Sequence, residues 1–272
     1  NASQDQVFVF LIFRFNFISI LLYDILLSKF VASKDKVKVL MNKNLIIIPT
    51  YNEALNIKNL ISKISKFQKK IDILFIDDNS PDGTSDIIKK IQTKRKNILL
   101  IKRKKKLGIG SAHKFGLKWG FKRKYKRIIT MDADGTHDPK YFKRLLNLSN
   151  TNHIVITNRF LRKDSMKSWP ILRILITKIR HIAVKLLLGM PYDSSGAFRC
   201  YNVQNVDIND ILKAKDNGYS FFWESLFIFF KKKYLIKEIP GTLHSRHLGS
   251  SKIGIKDIIN AIYYLFKIYL TK

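Results

Sequence analysis

Two aspartates separated by a single residue offer the clearest chemistry in this chain. Asp132 and Asp134 lie in the segment MDADGTHDP, residues 131–139, directly after the apolar run of residues 127–130. Carboxylate oxygens are the ligands that hard divalent cations prefer, and two protein ligands leave coordination positions open for phosphate oxygens. The spacing therefore indicates a site for a metal ion and a diphosphate. The alternative is an Asx-rich turn before a helix that starts at Pro139.

Polar residues also follow the first two predicted strands. The first strand runs into the segment PTYNE, in which Tyr51 offers a flat ring with a hydroxyl and Glu53 a hydrogen-bond acceptor. Such a group can hold a nucleobase or a ribose, and the alternative is a strand exit followed by a helix that Asn52 caps. The second strand ends in DDNSPDGT, where a tight turn explains the later residues. It does not explain the adjacent acids Asp77 and Asp78, whose repulsion requires a compensating partner.

The elements that position these residues follow a regular alternation. Short apolar strands alternate with longer segments of helical spacing, which indicates βαβ units and a mostly parallel sheet covered by helices on both faces. Ligands of such sheets bind at the carboxyl ends of the strands, where all the polar segments above are expected to lie. The predicted strands are residues 44–48, 71–76, 98–101, 127–131 and 153–157, and the predicted helices are residues 54–67, 83–94, 111–122 and 139–148.

Two later segments are predicted to be amphipathic helices. Residues 171–188 carry apolar side chains on one half and cations on the other, and residues 255–270 have a similar pattern. Basic amphipathic helices bind membrane surfaces, and packing on the helix's own domain is the alternative. The cations of the first segment are Arg173, Lys178, Arg180, His181 and Lys185.

Composition narrows the class of protein. The formal charge of +31 over 272 residues predicts attraction to polyanions, either nucleic acid or anionic lipid, unless it reflects a general compositional bias. Lysine-rich runs such as residues 102–106 are expected to be solvated faces. The hydrophobic fraction of 46% allows one large α/β domain with appendages. The single cysteine, Cys200, excludes an internal disulfide and a cysteine metal cluster.

The first 40 residues are predicted to be separate from this domain. Residues 7–27 are apolar and long enough to span a bilayer. They include Arg14 and Asp24, and a charge at mid-membrane costs roughly 2.5–3.5 kcal/mol. The lysines that follow would place the downstream domain in the cytoplasm. A membrane anchor and a dispensable extension before Met41 are the two interpretations.

In their order and spacing, these segments resemble the inverting glycosyltransferases of the GT-A fold. They most closely resemble the dolichyl-phosphate mannosyltransferase (polyprenyl-phosphate mannose synthase) family, over residues 43–255. The resemblance implies that Asp132 and Asp134 hold Mg²⁺ or Mn²⁺ on the diphosphate. Thr136 stands where the family often has a glutamine as a further metal ligand, so a hydroxyl or a water would fill that position. The resemblance also implies a nucleotide-sugar site formed by Pro49, Tyr51, Glu53, Ile76, Asp78, Asp132 and Ala133.

Downstream segments resemble the same family. Arg159, in NRF, and Arg173, after WP, match two arginines that bind the phosphate of the lipid acceptor in that family, a task that suits the bidentate guanidinium. Glu224 matches an acid near the sugar. Arg246 and Lys252 match a mobile loop that closes over the diphosphate.

We therefore expect an α/β enzyme with a GT-A catalytic domain at residues 41–255 and an amphipathic helix at residues 256–272. The expected reaction is metal-dependent, inverting transfer of mannose from GDP-mannose to dolichyl or undecaprenyl phosphate. It would take place at the cytoplasmic face of a membrane, with the enzyme peripheral or held by one N-terminal anchor. The alternatives are a UDP-sugar donor such as UDP-glucose, a related protein without catalysis, and a basic protein that binds nucleic acid or membranes. The residues expected to be catalytic are Asp134, Arg159, Arg173, Arg246 and Lys252.

Overall fold

The computed structural model describes residues 43–68, 71–244 and 254–271. The predicted N-terminal anchor or extension, and Arg246 and Lys252, lie outside the described residues. The strands are β1 (Asn44–Thr50), β2 (Asp72–Asp77), β3 (Ile98–Lys102), β4 (Arg127–Thr130), β5 (Ile154–Asn158), β6 (Arg199–Asn202) and β7 (Ile236–Pro240). The helices are α1 (Ala54–Phe67), α2 (Thr84–Gln92), α3 (Ile109–Lys122), α4 (Phe142–Leu148), α5 (Ile171–Leu188), α6 (Ile208–Leu212), α7 (Phe221–Lys231) and α8 (Ile255–Thr271).

The strands form one seven-stranded sheet in the order β3-β2-β1-β4-β6-β5-β7. β6 runs antiparallel to β4 and β5, and the other neighbouring strands are parallel to each other. The predicted α/β architecture with a mostly parallel sheet is confirmed. The carboxyl ends of six strands and the amino end of β6 consequently lie at the same edge of the sheet.

Glycines in α3 allow this helix to lie directly on the sheet. A Cβ atom on Gly116 would come within 2.5 Å of Ile76 and 2.6 Å of Ile47. A Cβ atom on Gly120 would come within 2.7 Å of Ile128. Because Ile47, Ile76 and Ile128 are fully buried, the close approach fixes α3 against three neighbouring strands.

Helix α5 has the predicted bounds. Much of its apolar side faces away from the rest of the domain. Apolar side chains on one side are exposed, with 68% for Leu172 and 57% for Ile179, whereas Arg173 and Arg180 contact residues of the domain. α5 also contacts α8, which exposes apolar side chains of its own, such as Phe266. The apolar half of α5 is therefore largely exposed, although Thr177, Val184 and Leu188 of the same helix are buried against the domain. Among the helices that the structure describes, none combines the length and the apolar character needed to cross a bilayer.

Candidate active site

The register of the sheet brings the predicted polar segments to one edge. Thr50 of β1 lies opposite Asp77 of β2, and β4 pairs in parallel with the other side of β1. Arg199, the first residue of β6, pairs with Thr130 of β4 and with Ile156 of β5. The segments after β1, β2, β4 and β5 therefore emerge from the same edge, with Arg199 between the last two.

The adjacent acids at the end of β2 have different partners. Asp77 is fully buried and accepts hydrogen bonds from the backbone N–H of Ser80 (3.0 Å) and the hydroxyl of Ser85 (2.7 Å). Asp78 forms an ion pair with Arg103 and accepts the backbone N–H of Leu107 at 3.0 Å. Asp77 thus holds the turn, while Asp78 is compensated by a cation. The side chain of Arg103 is buried, which corrects the expectation that the run at residues 102–106 is entirely solvated.

The start of α1 is held by an acid from the neighbouring turn. The helix begins directly after Glu53, and the backbone N–H of Ala54 donates to the carboxylate of Asp82 at 3.0 Å. The interpretation that Asn52 caps this helix is therefore wrong. The buried Glu53 carboxylate accepts the side-chain amide of Asn56 at 2.7 Å.

Other residues of the predicted nucleotide site differ in accessibility. Tyr51 is half-buried, and the Lys106 ammonium lies over its ring, 4.4 Å from the centroid. Ile76 is fully buried, and its side chain faces α3 at Gly116. Pro49 pairs with Ile76 in the sheet. Of Pro49, Tyr51 and Ile76, Tyr51 is therefore the residue that brings both an aromatic ring and a polar group to the edge of the sheet.

The two aspartates after β4 occupy unlike environments. The Asp134 carboxylate is buried and accepts both the backbone N–H (3.1 Å) and the hydroxyl (2.7 Å) of Thr136. The Asp132 side chain is about one-third exposed, at 32%. Ala133 between them is buried. The Asp132 side chain is therefore partly accessible to solvent, and Asp134 is held in place by the turn that follows it.

His137 supports this turn as a neutral side chain. Its Nδ1 accepts the backbone N–H of Asp132 at 2.9 Å, and its ring stacks on Phe198 with 5.0 Å between centroids. Burial lowers the pKa of His137 to about 4, although the charge of Asp134 opposes the shift. An uncharged imidazole thus fixes the backbone of the acidic segment at neutral pH.

The oxygen ligands of this acidic segment suit a hard cation that takes its remaining ligands from a bound diphosphate. Asp132, Asp134 and Thr136 offer oxygen atoms, which Mg²⁺ and Mn²⁺ favour. Within the described residues, no three His, Cys, Asp or Glu side chains converge to form a complete metal centre. The residues therefore fit a cation that takes further ligands from a diphosphate or water, with the Thr136 hydroxyl engaged by Asp134.

Basic residues gather on the other side of Arg199, after β5. Arg159 donates from its backbone N–H (3.0 Å) and its Nε (2.7 Å) to the buried carboxylate of Asp193. The Arg173 guanidinium lies 3.8 Å from the ring centroid of Trp169, and the Arg159 guanidinium lies 5.8 Å from it. Burial alone would raise the pKa of Asp193, but the charge and hydrogen bonds of Arg159 outweigh it and lower that pKa. Asp193 is therefore the anion that orients Arg159.

Glu224 lies in the first turn of α7 and holds the chain that precedes this helix. Its two carboxylate oxygens accept the backbone N–H groups of Lys215 (2.8 Å) and Asp216 (3.0 Å). This chain lies against the start of α3, where a Cβ atom on Gly108 would come within 2.3 Å of the Asn217 carbonyl oxygen. Glu224 is thus tied to the backbone beside the edge of the sheet.

Sequence comparison assigns this arrangement to a family. The family described as Glycosyl transferase family 2 matches residues 45–207. The chain belongs to glycosyl transferase family 2. The match spans β1 to β6 and includes the acidic segment after β4 and the basic residues after β5. The predicted family and the predicted class of enzyme, a hexosyltransferase, are confirmed.

Curated members of the family are similar to this glycosyltransferase over most of its length. The polyprenol monophosphomannose synthase of Mycolicibacterium smegmatis is 29% identical over 224 residues, which cover 81% of this chain and 84% of the relative. The undecaprenyl-phosphate mannosyltransferase of Micrococcus luteus is 31% identical over 211 residues, which cover 77% and 87% of the two chains.

A solved structure supports the fold of this family 2 enzyme. Glucosyl-3-phosphoglycerate synthase from Mycobacterium tuberculosis, in complex with Mn²⁺, UDP and glucosyl-3-phosphoglycerate, superposes with a TM-score of 0.54 at 16% identity. The match covers 84% of this chain and 78% of that one. The GT-A-like fold that the sequence predicted is thereby confirmed.

Several residues of this glycosyltransferase site were not predicted from the sequence. Their common property is a partner that is distant along the chain or in another element. An isolated arginine in a lysine run was the available signal for Arg103, and a histidine three residues after Asp134 was the signal for His137. Arg103 and His137 were not predicted. The segment DSSGAFRCY, residues 193–201, resembles the acidic, Phe-Arg block of the family, but the contacts within it were not predicted: Asp193 is the partner of Arg159, and the Arg199 guanidinium bonds to the carbonyls of Ser194, Gly196 and Phe222.

Proposed function

We propose that this enzyme transfers a mannosyl group from GDP-mannose to a polyprenyl phosphate, with inversion and with a divalent metal ion. One observation carries the proposal: an acidic segment after β4 and a basic cluster after β5 lie on either side of Arg199 at one edge of the sheet. An acidic segment suits a metal-bound diphosphate, and a basic cluster suits a phosphate acceptor. The names of the two curated relatives support mannose as the sugar and a polyprenyl phosphate as the acceptor.

On the donor side, each residue has a task that fits its surroundings. Tyr51 and Asp78, at the ends of β1 and β2, contact the nucleoside, while Asp132 and Asp134 bind the metal ion that Thr136 and His137 help to orient. When bound, the metal ion stabilises the negative charge that develops on the departing diphosphate. The complex of the tuberculosis enzyme with Mn²⁺ and UDP supports a divalent ion in this fold. Pro49, Glu53, Ile76, Ala133 and Glu224 complete the nucleotide-sugar site by shaping its backbone.

On the acceptor side, Arg159 and Arg173 bind the phosphate and direct one of its oxygens at the anomeric carbon. A phosphate oxygen is already anionic at neutral pH, so the reaction requires positioning and charge stabilisation more than a general base. Attack from the face opposite the diphosphate inverts the anomeric centre. Arg246 and Lys252, which lie outside the described residues, assist the departing diphosphate in this proposal.

A polyprenyl acceptor requires that the enzyme reach a membrane. The exposed apolar sides of α5 and α8 provide a surface that can enter the interface of a bilayer. Lys178 and Lys185, exposed on α5, would interact with anionic headgroups. We therefore place the enzyme at the cytoplasmic face of a membrane, bound peripherally through these helices or also through the predicted N-terminal anchor.

A donor screen tests this proposal. Purified enzyme is incubated with undecaprenyl phosphate, Mg²⁺ or Mn²⁺, and radiolabelled GDP-mannose or UDP-glucose, and the label that enters the organic phase is counted. We expect lipid-linked label from GDP-mannose, and loss of at least about a hundredfold in Asp134→Asn, because that substitution removes the charge that faces the metal ion.

The matched control is Asp207→Asn. Asp207 is exposed and caps α6 through the backbone N–H of Asn209, a role that asparagine can retain. If only UDP-glucose gave lipid-linked label, the donor would be UDP-glucose and not GDP-mannose. Full metal-dependent activity of Asp134→Asn would disprove the assignment of the metal site, and absence of lipid-linked label from every sugar nucleotide would disprove the function.

A further inference from the structure

A third arginine belongs to the basic cluster after β5. Arg180 of α5 is half-buried, and its Nη2 donates to the hydroxyl of Ser195 at 2.7 Å. That hydroxyl lies 3.4 Å from one oxygen of Asp193, whose other oxygen accepts the Nε of Arg159. Arg180 and Arg159 therefore approach the same aspartate from different elements.

The charges in this cluster do not balance. Burial, together with the positive charges of Arg159 and Arg173, lowers the pKa of Arg180 to about 10 against the opposing effect of Asp193. Arg180 thus remains protonated at neutral pH, beside two further guanidinium groups and one directly bonded carboxylate. Glu238 accepts the backbone N–H of Asp193 at 2.8 Å, and burial raises the pKa of that acid. Even if Glu238 is ionised, the three guanidinium groups outnumber the two carboxylates, and this excess of positive charge favours the binding of an anion.

The ring that carries two of these cations also has an unsatisfied donor. Trp169 is buried, and its Nε1–H has no hydrogen-bond partner among the described residues. The guanidinium groups of Arg173 and Arg159 lie 3.8 Å and 5.8 Å from its ring centroid. Buried donors are nearly always satisfied in native proteins, so an acceptor atom from a ligand would remove the deficit.

We propose that Arg180 and the indole N–H of Trp169 complete, with Arg159 and Arg173, a binding site for the phosphate monoester of the acceptor. The proposal deepens the proposed function and rests on its acceptor. A phosphate monoester carries close to two negative charges at neutral pH and offers three acceptor oxygens. Three guanidinium groups and one neutral N–H supply positive charge and hydrogen-bond donors to these oxygens. On binding, Arg180 exchanges the neutral hydroxyl of Ser195 for an anionic oxygen.

The test measures binding apart from catalysis. Farnesyl phosphate, a short prenyl phosphate monoester, is titrated calorimetrically into the full chain in detergent without any sugar nucleotide. We expect Arg180→Gln to raise the Kd about tenfold or more, because a charge-assisted hydrogen bond is lost. Arg180→Lys should give an intermediate Kd, since it keeps the charge and loses the planar fork. Trp169→Phe, which keeps a ring and removes the N–H, should raise the Kd about threefold to tenfold.

Two controls separate this role from a structural one. Arg144→Gln removes an exposed arginine from α4 and should bind farnesyl phosphate as the wild type does. Farnesol, which lacks the phosphate, should bind wild type and Arg180→Gln equally, and the KM for GDP-mannose should not change.

The outcomes also distinguish this proposal from the proposed function. Unchanged farnesyl phosphate binding in both Arg180→Gln and Trp169→Phe, or equal losses for farnesol and farnesyl phosphate, would overturn the role of these residues. Failure of the wild type to bind farnesyl phosphate would do the same. Weakened binding in the variants of an enzyme that transfers no mannose would support the phosphate site and contradict the mannosyltransferase instead.

Discussion

Thr136 donates both its hydroxyl and its backbone N–H to Asp134, and these contacts help to organise the acidic segment. The hydrogen bonds orient a buried carboxylate next to Asp132, whose side chain is partly exposed. In metal sites, removing a group that orients a ligand typically lowers the affinity for the metal ion by about tenfold to a hundredfold. Thr136 can therefore influence a metal ion through Asp134 whether or not its own oxygen is a ligand.

Thr136→Val should weaken activation by Mn²⁺. Valine keeps the shape and removes the hydroxyl, so we expect the Mn²⁺ concentration for half-maximal transfer to rise about tenfold. Thr151→Val, at an exposed position after α4, should leave it unchanged. An unaltered Mn²⁺ dependence in Thr136→Val would show that the hydroxyl contributes nothing to the metal site.

The residues of the site divide into those that local sequence reveals and those that only the fold reveals. The Asp132/Asp134 pair and Arg159 lie at strand ends, and their spacing alone predicted that they would meet at one edge. Arg103 and Arg180 could not be predicted in this way, because their partners lie 25 and 15 residues away along the chain. Whether such a cation contacts an acid or solvent depends on tertiary packing that periodicity does not encode.

Helix α3 shows how an element holds the site in place. Its glycines bring it onto β1 and β2, and its first turn lies against the chain before α7. In an isolated helix, alanine is more stable than glycine by about 1 kcal/mol. Any loss of stability from alanine in this helix must therefore come from tertiary contacts.

Gly116→Ala should lower the free energy of unfolding by about 1–3 kcal/mol. The added methyl would come within 2.6 Å of Ile47 and 2.5 Å of Ile76, both fully buried, so strands or helix must shift. Gly254→Ala is the control, because the nearest atom to its Cβ would be 3.8 Å away. Urea denaturation measures both variants, and a Gly116→Ala protein as stable as the wild type would contradict the close packing of α3.

The bounds of helix α5 were predicted correctly, but the sequence left open which half of the helix faces the protein. The 3.6-residue period identifies an apolar and a cationic half, but it cannot tell which half faces the protein. Here Arg180 is half-buried and bonds to Ser195, and the guanidinium of the exposed Arg173 lies over the ring of Trp169. The apolar half is consequently left exposed.

Replacing Leu172, Leu175 and Ile179 by glutamine should reduce binding to phosphatidylglycerol vesicles. All three side chains are more than half exposed, so the melting temperature should stay close to that of the wild type while apolar area for membrane contact is lost. Cosedimentation is compared in the full chain and in a chain that begins at Met41, which also tests the predicted anchor. Glutamine at the exposed Leu55 and Leu235 is the control, and equal losses in both sets would exclude a specific role for α5.

For the whole molecule, a buried histidine links stability to pH. His113 is almost fully buried between Phe221 and Phe222, and its Nε2 has no hydrogen-bond partner within the described part of the chain. Burial lowers the pKa of His113 from 6.5 to about 3, and the charge of Arg199 adds to the shift. The unfolded chain therefore binds a proton below pH 6.5 that the folded protein accepts only near pH 3, so stability falls as the pH drops through this window.

His113→Phe should reduce the acid sensitivity of the fold. Between pH 7 and pH 5, one such histidine accounts for on the order of 2 kcal/mol of lost stability. We expect the free energy of unfolding of the variant to fall by correspondingly less over this pH range. At pH 7 the variant should be at least as stable as the wild type, since an unsatisfied polar atom is removed. Denaturation at several pH values measures the slope, with His244→Phe at an exposed position as the control. A slope equal to that of the wild type would contradict this role of His113.

The sheet as a whole was predicted in its first five strands and missed in its last two. β1 to β5 each contain adjacent Ile, Leu or Val residues and alternate with helices, whereas β6 (RCYN) and β7 (IKEIP) contain no such adjacent pair. β6 is stabilised by pairing with a strand on each side, and β7 lies at the end of the sheet. Their strand character comes from neighbours that are far away in sequence, which a local pattern cannot reveal.

The same strand order determines what a growing chain can build first. The residues of β1 to β4 have all been synthesised by residue 130, whereas those of β5, β6 and β7 are complete only at residue 240. Because domains generally fold as units, the four parallel strands wait for β5 to β7 before the sheet is complete. The edge that holds Asp132 and Asp134 is therefore finished only after the exposed apolar side of α5 has been synthesised.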